Sequence, residues 1–233
     1  MASTRQALLK RLAMDLAVLC SNPEDLDHAF DLLTASYQTD AASAARNRLK
    51  ADPAIQPLIA ERYWGPWPAL AELLAMPAGC LGQVYGLFMA SQGLEPLPDP
   101  QLQSDVGDDD VYLQQRIRHT HDLWHVIAGL PSSLAGEAAA NGLTTEQLRW
   151  PGSALLIAAD LIHRVSVPDA GAEGGVDLGV AVAYGLNVGA TAPALLAQRW
   201  EEGWQRPLRE WREQLGLTEL IRRSPFPPLP GDG

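Results

Sequence analysis

Apolar side chains recur every three or four positions along almost the whole 233-residue chain, and nowhere do β-branched and polar residues alternate convincingly. A period near 3.6 buries one stripe of a helix, whereas a period of two buries one face of a strand, so the pattern commits the chain to an all-α fold. Proline and glycine fall between the periodic stretches, where they end one helix and let the chain turn into the next. The spacing predicts helices over roughly residues 4–20, 23–37, 40–50, 55–62, 67–76, 80–93, 110–128, 134–140, 144–149, 153–164, 176–198 and 204–215. A chain of this length supports one sizeable core, so the expected architecture is a single-domain multi-helix bundle over residues 1–233.

Charge and cysteine content narrow the function classes. The net charge of -11 repels a phosphate backbone, and the 17 lysines and arginines form no stripe, so nucleic acid is not an expected partner. Cys20 and Cys80 are the only cysteines, which suits a reducing compartment rather than a disulfide framework. In "MASTRQALLKRLAMDLAVLC" no acid precedes Asp15, as in an organellar presequence, yet Leu8, Leu12, Leu16 and Leu19 read as one face of an ordinary helix. The uncharged stretch 178–197 has the length of a membrane span, but its glycines, Asn187, Thr191 and Pro193 favour a buried helix. Gly185 and Gly189, four apart, would let a neighbouring helix approach closely. The proline-rich tail, 222–233, is expected to be a strap or disordered, and Asp108, Asp109 and Asp110 suit the start of the helix that follows them.

That helix carries the densest chemistry, "HDLWHVIAGLPSSLAGE" over residues 121–137. Counted at about 100° per residue from Leu113, Ile117, Trp124, Ile127 and Ala128 make an apolar stripe, with His121 and His125 at its edge and Asp122 within the same arc of roughly 100°. Gly129 and Pro131 stop the helix, Ser132 or Ser133 caps the next, and Glu137 is expected to return towards the same face. Two imidazoles and two carboxylates can bind one divalent ion between consecutive helices; zinc is the first expectation, with iron or another divalent ion as alternatives. An ion-pair network with Arg116 or Arg118 is the competing reading. His163 follows Asp160 by three residues and reads as a satisfied polar contact, while His28 and His119 have no partner by spacing.

The HDxxH pair, eleven residues and then Glu137 resemble the signature of the ubiquinone (coenzyme Q) biosynthesis protein COQ-four family. "AMPAGCLGQVYGLFMASQGLEP" over residues 75–96 and "RWEEGWQRPLREWREQLGL" over 199–217 are similar to other segments of that family, and the likeness covers a core of about 60–217. Cys80 stands where the family commonly has a small hydroxyl residue, and "AAANGLTTEQ" lacks the charges expected after Glu137.

The resemblance implies an all-helical metal-binding protein with His121, Asp122, His125 and Glu137 as ligands and catalytic residues. It implies action on a polyprenylated aromatic precursor of ubiquinone by oxidative decarboxylation at ring carbon one. The alternative is a non-catalytic scaffold that binds an isoprenoid lipid around a structural metal. Other ubiquinone-biosynthesis proteins and a second copy of the chain are the implied partners. The implied location is cytoplasmic and peripheral on the inner face of a membrane, or the matrix side of an organelle in a eukaryote.

Overall fold

The computed structural model describes residues 2–94, 109–166 and 175–232, and these contain α-helices, short 3-10 turns and one isolated β-bridge. Asp108, most of the proline-rich stretch that precedes it and part of the connection after residue 166 lie outside the described residues. The chain packs as two compact units, residues 1–47 with 132–190 and residues 48–131 with 191–233. Each unit is therefore assembled from two separate lengths of sequence.

The first unit holds α1 (Ala2–Ser21), α2 (Leu26–Ser36), most of α3 (Asp40–Ala51), α8 (Leu134–Leu148), α9 (Pro151–Ser166) and nearly all of α10 (Leu178–Thr191). Leu19, Leu32 and Ala159 are buried together, with Leu12, Leu16, Ala29, Leu155 and Leu156 packed on them, so the leucine face read from the N-terminal sequence is a core face. Asp25 caps α2 by accepting the amide of His28 at 3.1 Å, and its carboxylate also sits 3.0 Å from the His28 ring. His28 thus has a partner three residues back, which the expectation of none overlooked because a capping carboxylate serves amide and ring at once.

Close packing of α8 on α10 explains the glycines of the apolar stretch. A Cβ on Gly185 would lie 1.8 Å from the Ala139 carbonyl oxygen, one on Gly189 2.9 Å from that of Leu143, and one on Gly142 2.8 Å from that of Val182. These distances leave no room for side chains between the two backbones, the soluble-core version of a small-xxx-small pair. No described helix is long and apolar enough to cross a membrane. Two boundaries differ from the sequence reading. Gly142 does not split α8, because its missing side chain is what lets α10 approach. In turn α10 stops at Thr191, ahead of Pro193, and the chain continues as 3-10 turns over Leu195–Ala197 and Trp200–Glu202.

The second unit holds α4 (Gln56–Glu61), α5 (Leu70–Leu74), α6 (Leu81–Ser91), α7 (Asp109–Ala128), α11 (Leu208–Gln214) and α12 (Thr218–Arg222). The last of these is a helix that the sequence pattern did not reveal. Leu81, Val84, Tyr85, Phe88 and Met89 are buried on α6, which packs against α5, α7 and α11. Its start is fixed by backbone pairing with a distant segment: Leu81 donates to Arg206 at 2.9 Å, Gly82 to Trp204 at 2.8 Å, and Leu208 donates to Gly79 at 2.9 Å. Trp200, Trp204 and Trp211 are all buried, so the tryptophans near the C-terminus belong to the core. The tail is a strap: Phe226 and Leu229 are buried and Asp232 pairs with Arg212.

The glycine surroundings predict unequal costs at two positions of α10. Alanine raises helix propensity by about 1 kcal/mol over glycine, but at Gly185 it would strike a backbone carbonyl that cannot step aside. Gly185→Ala is expected to cost about 1–3 kcal/mol in denaturant titration. Gly179→Ala meets only a side-chain atom, the Asp177 Oδ1 at 3.1 Å that accepts the Gly179 and Val180 amides, and is expected to cost less than Gly185→Ala in the same titration.

Candidate metal centre

Helix α7 is set in place by ion pairs and aromatic contacts before its chemistry begins. Asp109, in its first turn, pairs with Arg62 at 2.7 Å, and Asp110 pairs with Lys50 at 2.7 Å, which also suits the positive end of the helix dipole. One turn further on, Tyr112 donates its hydroxyl to the Tyr63 carbonyl. The Arg116 guanidinium is fully buried, bidentate on Glu201 at 2.7 and 3.3 Å, and donates to the Gln198 carbonyl at 2.7 Å. Arg116 is thereby committed elsewhere, and Arg118 is exposed, so neither supplies the ion-pair network considered as the rival to a metal. His119 lies against the rings of Trp67 and Trp64, with centroids 4.0 and 4.8 Å away. Sequence spacing gave it no partner because both tryptophans come from a segment some fifty residues earlier.

Past these anchors, α7 presents His121, Asp122 and His125. The two imidazoles are one turn apart with ring centroids 4.9 Å from each other; His125 is buried and His121 half-buried. His125 Nδ1 lies 3.3 Å from the Leu130 carbonyl oxygen. A carbonyl can only accept, so the proton sits on Nδ1 and Nε2 carries the lone pair. His121 Nδ1 lies 3.3 Å from the Asp122 carboxylate, an acceptor that likewise favours a proton on Nδ1. Burial alone would raise the pKa of Asp122, but the hydrogen bond from His121 and the charges of His121, His125 and His119 outweigh it and hold the carboxyl below its ordinary value. Phe88 lies beside His125 with ring centroids 5.6 Å apart, and Tyr85 stacks on Trp204. Burial, followed by the charge of Asp122, pushes the Tyr85 phenol well above its usual value, so it stays a neutral donor.

The turn that ends α7 is as the sequence led one to expect. Gly129 adopts φ +66°, Leu130 donates its amide back to the His125 carbonyl at 2.8 Å, and Ser133 caps α8 by accepting from Gly136 at 3.3 Å. Glu137 sits in the first turn of α8, half-buried. In the same unit Asp160, buried on α9, has its pKa raised to about 7, first by desolvation and second by the charge of Glu137. Asp160 was not singled out as a site residue; the signal available was a lone acid in the apolar run Ala154–Ile162. His163 turns away from it and bonds through Nδ1 to the Cys20 carbonyl, 3.1 Å away.

Two imidazoles presented one turn apart from one helix, with an ionised acid beside them, define a class: all-helical proteins that carry a histidine–aspartate donor set of the kind that can hold a metal ion. Similarity to known proteins gives the family. The sequence matches the family described as "Coenzyme Q (ubiquinone) biosynthesis protein Coq4" over residues 22–220, and the chain belongs to it. It is similar to the mitochondrial ubiquinone biosynthesis protein COQ4 homologs of Rattus norvegicus, 27% identical over 74% of this chain and 64% of that one, and of Bos taurus, 25% identical over 81% and 67%. The chain thus spans about two thirds of the length of these relatives. A crystal structure described as a candidate ubiquinone biosynthesis protein from Nostoc punctiforme PCC 73102 is 28% identical, with a TM-score of 0.72 over 92% of this chain and 98% of that one.

Asp160 makes the stability of the metal-free protein depend on pH. Its pKa is higher when folded than the unfolded value of 3.8, so the folded state holds a proton that the unfolded state has lost. The contribution is full below about 4, declines as pH rises towards 7 and is absent above it. With each pKa unit equivalent to about 1.4 kcal/mol, Asp160→Asn should gain on the order of a few kcal/mol relative to wild type between pH 4 and pH 8. Paired urea titrations at the two pH values check this; a constant difference would show that Asp160 ionises without penalty.

Proposed function

We propose that the chain binds one divalent ion, zinc in the first instance, through His121, His125 and Glu137, with Asp122 completing the donor set or holding His121, and that it works on polyprenylated aromatic precursors of ubiquinone. Membership of the family supports the pathway. The observation that carries the metal is the pairing of the two imidazoles, one helical turn apart with ring centroids 4.9 Å from each other and each with Nδ1 against an acceptor, the arrangement in which a carboxylate or carbonyl orients a metal-binding histidine. Glu137, the next acid after Asp122 along the chain and in the first turn of the helix that follows, is the third donor of the reading. Two nitrogens and one or two carboxylate oxygens suit zinc, and they suit iron as well.

The reaction we assign is oxidative removal of the ring carboxyl at carbon one. The bond from the ring to the carboxyl carbon breaks, carbon dioxide leaves, and a hydroxyl oxygen enters from water. Two electrons and two protons pass to an external two-electron acceptor. A bound divalent ion would supply Lewis-acid stabilisation of the charge that develops on the head group. The protein's own part is to orient the reacting groups. Asp122 orients the His121 ring, Leu130 orients that of His125, and Phe88 lays aromatic surface beside His125. The same reading places the chain at a membrane surface, where such precursors reside, together with other proteins of the pathway and a second copy of itself.

Replacing Glu137 with Gln tests both halves of the proposal. Elemental analysis should show the ion reduced or lost, and conversion of a polyprenyl hydroxybenzoate-type precursor should fall by a factor of about 100 or more. Loss of the ion with conversion unchanged would overturn the enzyme reading and leave the isoprenoid-binding scaffold with a structural metal. Wild-type protein free of metal after expression in zinc- and iron-supplemented medium would overturn the metal itself.

A further inference from the structure

The last turn of α7 is held by a residue far away in sequence. Arg212, buried on α11, donates Nε to the Ile127 carbonyl at 3.0 Å and Nη2 to the Val126 carbonyl at 2.9 Å. The C-terminal carbonyls of a helix lack the partners that its interior has, and Val126 and Ile127 are fully buried away from water, with only the Gly129 amide, 3.3 Å from the Val126 carbonyl, supplied by the turn. A guanidinium satisfies two of them at once and places positive charge at the negative end of the helix dipole. On its other side the same guanidinium is gripped by the Asp232 carboxylate, Nη1 to Oδ1 at 2.6 Å and Nη2 to Oδ2 at 2.7 Å. Asp232 reaches it because Phe226 and Leu229 anchor the tail in the core and because Gly231 takes φ +79° in a space where a Cβ would lie 2.7 Å from Leu87 and 2.9 Å from Gln83.

Val126 and Ile127 stand between His125 and the turn at Gly129–Leu130. The Leu130 amide closes that turn on the His125 carbonyl, and the Leu130 carbonyl accepts from the His125 ring. Arg212 therefore fixes the stretch of backbone that links His125 to the group setting its tautomer.

We propose that Arg212, locked by Asp232 of the C-terminal strap, is a positioning residue for the metal centre, which keeps the His125 imidazole in the tautomer and orientation that present Nε2. This rests on the metal-binding reading above. It assigns the strap, residues 224–232, to the metal centre even though no residue of the strap is a ligand.

The test uses the full chain in four forms: wild type, Asp232→Asn, Arg212→Lys, and Glu219→Gln as a control in an exposed ion pair on α12. Three quantities are read: zinc affinity by competition with a chelator, the nitrogen-15 signals of the His125 ring in metal-free protein, and amide exchange at Gly129 and Leu130. Both variants should lose zinc affinity by about tenfold or more, show mixed His125 tautomers and exchange faster at the two amides, with the control unchanged. Faster exchange with unaltered ring signals and unaltered zinc affinity would overturn the proposal and reduce Arg212 to a structural cap. If wild type takes up no zinc, the metal reading fails by itself. The ring signals of the variants then decide this inference, and unchanged signals overturn it.

Discussion

The end of α7 is the constraint on which the site depends. A helix that stops inside a protein leaves its last carbonyls without partners, and burying them unsatisfied would cost about 1–3 kcal/mol each. Here the His125 carbonyl takes the Leu130 amide, and those of Val126 and Ile127 take Arg212. Those bonds also immobilise the residue that bears the buried imidazole. Helix termination and ligand orientation are one arrangement: the Leu130 peptide closes the turn through its amide and sets the ring through its carbonyl.

Charge follows the same rule of satisfaction. Arg116 is out of water, yet it faces Glu201 and a carbonyl; Arg212 is out of water and faces Asp232 and two carbonyls. Pairs of this kind contribute little net stability over an apolar pair of equal shape, but removing one partner is expensive, so they serve as register pins rather than as sources of stability. Asp160 departs from the pattern. It meets burial and a like charge rather than a cation, and its proton remains attached to near neutrality.

Much of this was legible in the residues alone. The α7–α8 turn was read correctly, because glycine at positive φ, proline after it and serine as a cap act within a few residues of themselves. The N-terminal leucine face and the close approach permitted by Gly185 were likewise local signals. The errors share a cause. Gly142 looked like a break in α8, the run to residue 198 looked like one helix, and α12 went unnoticed. In each case packing or proline chemistry overruled a weak local propensity.

The sequence by itself determined that the chain is helical, which residues face its cores and that two histidines and an aspartate share one arc of one helix, since 3.6-residue periodicity fixes all three. Only the tertiary structure decided the partners. That Arg116 belongs to Glu201, that His119 lies among tryptophans, and that Asp232 holds Arg212 against α7 all join residues twenty to eighty-six positions apart. Contacts at that range are set by how the segments pack, and no pattern of neighbours along the chain encodes which charge will meet which.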